Sequence, residues 1–164
     1  MKTEIHPHRP FVPENAKVLI LGSFPPAPHS DPETEEWYYQ SKYNQFWKIL
    51  KEVYGRPLRT VEEKKELFSD KGIAIADIFL EIERVGKGNS DQHLSVIEYN
   101  DKALKKIFKD CNFQRIFFTS HLVGKEFSKM FPALQGEYLP SPSPRFARMS
   151  LQEKIAIYRE KLPV

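Results

Sequence analysis

"KVLILGSFPP", residues 17–26, decides the fold class that the rest of the sequence supports. Residues 18–22 are all apolar or small, and the run stops at Gly22 and is soon followed by two prolines. A short continuous apolar run that ends in a turn is typical of a strand buried on both faces of a parallel sheet. The stretch therefore predicts the first strand and turn of a βα unit.

The same pattern of strand and helix recurs along the chain. Further strands are predicted over 72–80, 114–120 and 136–144. Helices are predicted over 44–54, 60 to about 70, 100–110, 121–131 and 150–162. Capping boxes begin two of these helices, at "TVEE" (60–63) and "SLQE" (150–153), and Asn100 is the predicted cap of a third. In the loop over 86–91, Ser90 or Asp91 is a candidate cap for a short helix.

This alternation predicts an α/β fold, a three-layer α/β/α sandwich with a central, mainly parallel four-stranded sheet. A chain of 164 residues is expected to form a single domain over 1–164. Residues 1–15 are expected to be an N-terminal extension, with His6 and His8 in a tail.

Composition limits the classes of function. One cysteine excludes a disulfide framework and a cysteine-based metal cluster, and the histidines show no metal-ligand spacing. We see no signal peptide and no apolar run of membrane-spanning length, so we expect a cytoplasmic protein without a membrane partner. We also expect a monomer that needs no metal or other cofactor.

Charge is divided unevenly along the chain. Residues 1–100 carry a net charge of −3, and residues 101–164 carry +6. A basic half suits an anionic partner such as nucleic acid, although a lysine-rich solvated surface gives the same count.

Ligands of parallel α/β folds bind at the carboxyl ends of the strands, where four loops are expected to meet. The first, "GSFPPAP" (22–28), is neither a P-loop nor a dinucleotide fingerprint. Gly22 allows a sharp turn and the close approach of a ligand, Pro25 stiffens the loop, and the amides of Ser23 and Phe24 are placed to face a ligand oxygen. An ordinary proline-rich turn is the alternative.

"PSPSPR" (140–145) is a stiff loop because each proline fixes φ and removes an N–H group. Its two serines and Arg145 suit contacts with a phosphate backbone, since little ordering entropy remains to be lost. A structural crossover before the last helix is the alternative.

"YYQSKYNQFWKIL" (38–50) surrounds one asparagine, Asn44, with aromatic rings. Tyr39 is expected near the loop, where a flat ring can stack on a nucleobase. The Asn44 amide can bond a base edge or hold a water, or it can simply cap the helix. Asp77, at the end of a buried strand, is either functional or a turn residue.

These motifs together resemble the uracil-DNA glycosylase superfamily, and more narrowly its hypoxanthine-DNA glycosylase branch. The stretches that match the motifs of that branch occur here in the same order: "LGSFPP", "YYQSKYNQFW", "GNSD", "YNDKAL", "FFTSH" and "LPSPSPRFA". Two departures are present: Thr119 and Ser120 replace a frequent Asn-Gly pair, and Tyr43 replaces a frequent arginine.

The resemblance implies a uracil-DNA glycosylase-like fold and a monofunctional DNA glycosylase that removes hypoxanthine or uracil from single- or double-stranded DNA in base-excision repair. It implies Asn44 as the catalytic residue. It implies a base pocket formed by Gly22, Ser23, Phe24, Pro25, Tyr39, Phe46, Thr119 and Ser120. It implies DNA-backbone contacts by Ser141, Pro142, Ser143, Pro144 and Arg145.

Thr119 and Ser120 lack the amide that reads uracil with two hydrogen bonds, and they leave room for a purine. We therefore expect hypoxanthine cleavage to be at least as fast as uracil cleavage. Two other readings stay open: a non-catalytic nucleic-acid-binding module of the same fold, and a small-molecule nucleotide or sugar hydrolase.

Overall fold

The computed structural model describes residues 2–26, 36–86 and 94–164. Its main sheet contains four strands: β2 (Val18–Gly22), β3 (Ile73–Asp77), β6 (Arg115–Phe118) and β7 (Glu137–Tyr138). Their order is β3-β2-β6-β7, and all three pairings are parallel. The predicted fold class is therefore confirmed. The last strand is much shorter than the segment 136–144 predicted for it.

Alternate residues of β2 point to opposite faces of the sheet, and each face is covered by helices. Val18 and Ile20 belong to one apolar cluster, and Leu19 and Leu21 belong to the other. The first cluster includes residues of α1 (Phe46–Tyr54), α2 (Val61–Lys71) and α5 (Leu151–Lys161). The second includes residues of α3 (Asp101–Asp110) and α4 (His121–Met130). This burial on both faces explains why the strand is continuously apolar.

A second, antiparallel sheet was not foreseen from the sequence. Its order is β1-β4-β5, formed by β1 (Thr3–Ile5), β4 (Phe79–Arg84) and β5 (Leu94–Tyr99). The segment 72–80 was predicted as one strand, but it divides at Ile78 into β3 and β4. Asp77 is the only polar residue of the segment 72–80, and a single aspartate does not show whether a buried strand ends or continues. The predicted caps Ser90 and Asp91, and most of the 86–91 loop, lie outside the described residues.

The N-terminal segment is part of the fold, so the predicted tail is wrong. β1 pairs with β4, and Phe11 exchanges two backbone hydrogen bonds with Ile75, at 3.0 and 2.9 Å. The segment thus follows the outer edge of β3. Edge pairing relies on backbone groups, which leave little trace in the residue pattern.

Most of the predicted helix starts match the structure. Both capping boxes form, with Thr60 and Ser150 at the N-caps, and the Ser120 hydroxyl accepts from Val123 N–H at the start of α4. Asn100 occupies the N-cap of α3, but its side chain does not cap. Its Nδ2 instead donates to the backbone carbonyl of Asp77, at 3.0 Å. None of the helices in the described part of the chain combines the length and apolar character that a bilayer crossing needs.

Two glycines that end helices offer a matched test of backbone packing. Gly55 and Gly72 both have a left-handed φ, of 62° and 67°. A Cβ on Gly55 would meet nothing within 4 Å, whereas one on Gly72 would lie 2.8 Å from the carbonyl oxygen of Asn15. Gly55→Ala should lower the free energy of unfolding by about 1–2 kcal/mol through φ strain alone. Gly72→Ala should lower it by at least ~1 kcal/mol more, because the backbone at Asn15 must move.

Urea unfolding of the two variants measures this difference. Equal losses would contradict the close approach between the N-terminal segment and the end of α2.

Candidate functional site

A cavity of about 630 Å³ lies at the carboxyl ends of the strands. Its wall is formed by the first loop, the aromatic segment before α1, the start of α4 and the serine-proline loop. Of the predicted site residues, twelve of fourteen line it. They are Ser23, Phe24, Pro25, Tyr39, Asn44, Thr119, Ser120, Ser141, Pro142, Ser143, Pro144 and Arg145.

Gly22 and Phe46 are the two predicted pocket residues that do not line the cavity. A Cβ on Gly22 would lie 2.5 Å from both Asp77 Oδ1 and the Tyr39 hydroxyl oxygen. The close approach that Gly22 permits is therefore made by two side chains of the protein. Phe46 is fully buried in the core, where its ring stacks on that of Tyr39 with centroids 4.1 Å apart.

Tyr39 is held in a strained conformation at the cavity wall. Its φ is 56°, a left-handed value that costs a non-glycine residue about 1–2 kcal/mol. The ring stacks on Phe46 at an interplanar angle of 23°, and the hydroxyl lies 2.8 Å from Thr119 Oγ1. Backbone strain of this kind persists where surrounding contacts determine the conformation, often at ligand sites.

The hydroxyl groups of Thr119 and Ser120 already have partners. Thr119 Oγ1 lies 3.3 Å from the carbonyl oxygen of Leu21, which only accepts, and 2.8 Å from the Tyr39 hydroxyl, so its one hydrogen is used in one of these two bonds. Ser120 Oγ accepts from Val123 N–H at 3.3 Å. Thr119 therefore has no hydrogen left to donate to a ligand.

Asn44 also has a structural role. Its Oδ1 accepts the backbone N–H of Phe46, the first residue of α1, at 2.9 Å. The helix begins two residues after Asn44, and Gln45 occupies the N-cap without a capping side chain. Asn44 therefore satisfies a helix-terminal N–H group, as the capping alternative predicted, and its amide also lines the cavity.

The serine-proline loop is fixed by bonds within itself and to α1. Ser143 N–H donates to Ser141 Oγ at 3.3 Å, and Arg145 N–H donates to Ser143 Oγ at 3.2 Å. The carbonyl of Pro142 accepts Gln45 N–H at 2.8 Å, which joins the loop to the start of α1. Arg145 itself is exposed at the mouth of the cavity.

Asp77, which the sequence left open as functional or as a turn residue, lies in the cavity wall and contacts His6, which was expected in a tail. Asp77 lines the cavity at the end of β3, opposite Gly22 in the parallel register. Its Oδ2 lies 2.7 Å from His6 Nε2, and their side chains are 6% and 2% exposed. The two residues stand 71 positions apart, so no local motif could reveal the pair. The only signal was an aspartate at the end of a buried strand.

Comparisons with known proteins agree with this architecture. No protein-family model matches the chain. A curated protein named hypoxanthine DNA glycosylase, from Methanosarcina barkeri, is 29% identical over 102 residues, covering 59% of this chain and 60% of the relative. The match thus spans less than two thirds of that relative's length. A solution NMR structure from Methanosarcina acetivorans, provisionally assigned as a uracil-DNA glycosylase, superposes with a TM-score of 0.64 at 27% identity, over 93% of this chain and 96% of that one.

The chain has the fold of a uracil-DNA glycosylase. The resemblance to that superfamily, and to its hypoxanthine branch, is confirmed. The structural match covers 93% of this chain, whereas the sequence match covers 59% of it.

A second, smaller cavity of about 190 Å³ shares Phe24, Pro25 and Pro26 with the first. Neither Asn44 nor any serine-proline residue lines it, so we place the candidate site in the larger cavity. Within the described ranges, no group of three or more His, Cys, Asp or Glu residues is arranged to hold a metal ion.

Lys154 supports the cavity from beneath the serine-proline loop. Its side chain is buried, and its Nζ donates to Gln45 Oε1 at 2.8 Å and to the carbonyl of Ser143 at 3.0 Å. Burial lowers the pKa of this amine. One lysine of α5 thus ties the loop to the segment that carries Asn44.

Lys154→Met should loosen this loop, because methionine keeps the side-chain length and removes both donations. We expect the amide hydrogens of Ser143 and Arg145 to exchange with solvent faster. The free energy of unfolding should fall by about 1–3 kcal/mol, partly offset by relief of a buried charge. Hydrogen-exchange mass spectrometry compares Lys154→Met with the control variant Lys48→Met, in which an exposed lysine of α1 is replaced. Unchanged exchange at the loop would contradict the anchoring role.

Proposed function

We propose that the protein is a DNA glycosylase that hydrolyses the N-glycosidic bond of deaminated bases in base-excision repair. The observation that carries the proposal is the single cavity that joins Asn44, Tyr39, Asp77, the first loop and the serine-proline loop in a uracil-DNA glycosylase fold. Glycosylases need a pocket that receives a base extruded from the helix. A volume of about 630 Å³ lies within the usual range for small-ligand sites.

Tyr39 is our candidate for stacking on the extruded base. One face of its ring is covered by Phe46, and the residue lines the cavity. Stacking of a base on an aromatic ring contributes roughly 1–3 kcal/mol. Because the Tyr39 ring is already fixed by Phe46 and Thr119, little further ordering is needed when a base binds.

Asp77 is our candidate for reading a deaminated base. Hypoxanthine and uracil both present a ring N–H beside a carbonyl oxygen, and an ionised carboxylate accepts hydrogen bonds only. Asp77 would accept the ring N–H. The amides of Ser23 and Phe24 would face the base oxygens, which gain negative charge as the bond breaks.

The reaction breaks the bond between the sugar C1′ and the base nitrogen, and the bonding electron pair leaves with the base. The sugar gains oxocarbenium character, a water oxygen bonds to C1′, and the proton that the water loses neutralises the leaving base, directly or through solvent. Asn44 would orient this water or donate to the base through its Nδ2 group, since its Oδ1 is held by Phe46 N–H.

The serine-proline loop is our candidate for binding the DNA backbone. Its serine hydroxyls accept from loop amides, which leaves each hydroxyl hydrogen available to donate to a phosphate oxygen. Arg145 adds a charge that is strongly attracted to phosphate.

The proposal is tested with oligonucleotides that carry one hypoxanthine, uracil, xanthine or mismatched thymine, as single strands and as duplexes. We expect abasic product, with hypoxanthine released at least as fast as uracil under single-turnover conditions. This order is expected because Thr119 and Ser120, which line the cavity, have small side chains that would leave room for a purine. A chelator should not change the rates, and an undamaged duplex is the control. A clear preference for uracil would overturn the substrate order, and no release from any lesion would overturn the function.

Asn44 variants separate catalysis from helix capping. Asn44→Ala should lower the single-turnover rate by ~10²-fold or more, and the free energy of unfolding by about 1–2 kcal/mol. Asn44→Asp keeps an oxygen that accepts Phe46 N–H but loses the N–H donor, so it should be stable and still slow. An active Asn44→Asp protein would assign Asn44 a capping role only.

The bond from Phe46 N–H to Asn44 Oδ1 also favours a second candidate, a nucleic-acid-binding module without catalysis. In that case Asn44 serves the helix alone. Binding to lesion-containing DNA without base release would support this candidate.

A further inference from the structure

We propose that His6 is a positioning residue for the candidate site, and that it acts by holding the Asp77 carboxylate through one hydrogen bond. This inference rests on the proposed function, because Asp77 needs a base to read. His6 directly follows β1, and β1 pairs with β4 rather than with any strand of the main sheet.

The hydrogen-bond pattern assigns the proton on the His6 ring. Nδ1 accepts the backbone N–H of His8, at 3.0 Å, so the neutral ring carries its hydrogen on Nε2. Nε2 therefore donates to Asp77 Oδ2, at 2.7 Å. The ring is also packed against Phe24 and Tyr38, with centroids 5.3 and 5.6 Å away. His6 is thus fixed in both tautomer and orientation.

Asp77 is held from two sides, and only one of its oxygens is occupied by His6. Asn100 Nδ2 donates to the Asp77 backbone carbonyl, and His6 donates to Oδ2. The second oxygen, Oδ1, occupies the space above Gly22 beside the Tyr39 hydroxyl. The His6 bond therefore determines which carboxylate oxygen remains for a base.

The hydrogen bond from His6 to Asp77 matters more while the glycosidic bond breaks than while the base binds. A carboxylate beside the base favours a ring N–H in the ground state, but it repels the negative charge that the leaving base acquires. A charge-assisted donor on Oδ2 draws negative charge away from Oδ1. Loss of His6 should therefore lower the rate of base release more than it weakens binding of the lesion.

Three variants test the proposal. His6→Leu removes the donor, and we expect the single-turnover rate to fall about tenfold or more, with a smaller change in affinity for lesion DNA. His6→Gln places an amide N–H near the position of Nε2, so it should restore most of the rate. His8→Gln is the matched control and should change the rate less than about twofold, because its side chain makes no hydrogen bond to Asp77 in the described structure.

A double-mutant cycle with Asp77→Asn completes the experiment. If His6 acts through Asp77, adding His6→Leu to Asp77→Asn should slow the reaction by less than about threefold further. Additive losses, or His6→Gln as slow as His6→Leu, would overturn the role of His6 while the wild-type protein still releases base. A wild-type protein that releases no base would overturn the proposed function, and this inference with it.

Discussion

The missing side chain of Gly22 is the constraint on which the cavity depends. Two oxygens, from Asp77 and Tyr39, each lie 2.5 Å from the position that a Cβ would take. Any other residue at the end of β2 would displace at least one of them. Displacing Tyr39 would disturb its stacking on Phe46 and its bond to Thr119. Displacing Asp77 would disturb the contact with His6. The absence of a side chain at Gly22 therefore lets three chain segments, those of Tyr39, Asp77 and His6, meet at the carboxyl ends of the strands.

The predictable part of the structure is the part that hydropathy and local chemistry encode. β2 is apolar because both of its faces are buried, and the boxes at Thr60 and Ser150 are local motifs. β1 has neither signal: it is short, polar and partly exposed, and it is held by backbone pairing with residues about 80 positions away. The division at Ile78 is hidden for the opposite reason, since the residues around it are buried and, apart from Asp77, apolar.

The candidate site likewise contains residues that the sequence predicted and contacts that it did not. The resemblance led to twelve residues that line one cavity, because short motifs at strand ends carry them. It did not show that Asn44 also satisfies Phe46 N–H, or that Thr119 is already bonded to Tyr39 and Leu21. The Asn44 bond is local and matches the capping alternative, whereas the Thr119 bonds depend on side-chain geometry across distant segments. Lys154 gave no signal either, because a buried lysine looks the same in sequence as an exposed one.

The docking of the N-terminal segment onto β4 has a kinetic consequence. His6 and Asp77 are separated by 71 positions, and Glu4 and its ion-pair partner Arg84 by 80. Closing so long a loop carries an entropy cost that local helices avoid, and contacts of this range slow folding. A chain that leaves the ribosome from its N-terminus exposes residues 2–8 well before β4 exists. The contact between His6 and Asp77 therefore forms only after β4, the strand that pairs with this segment, has been synthesised.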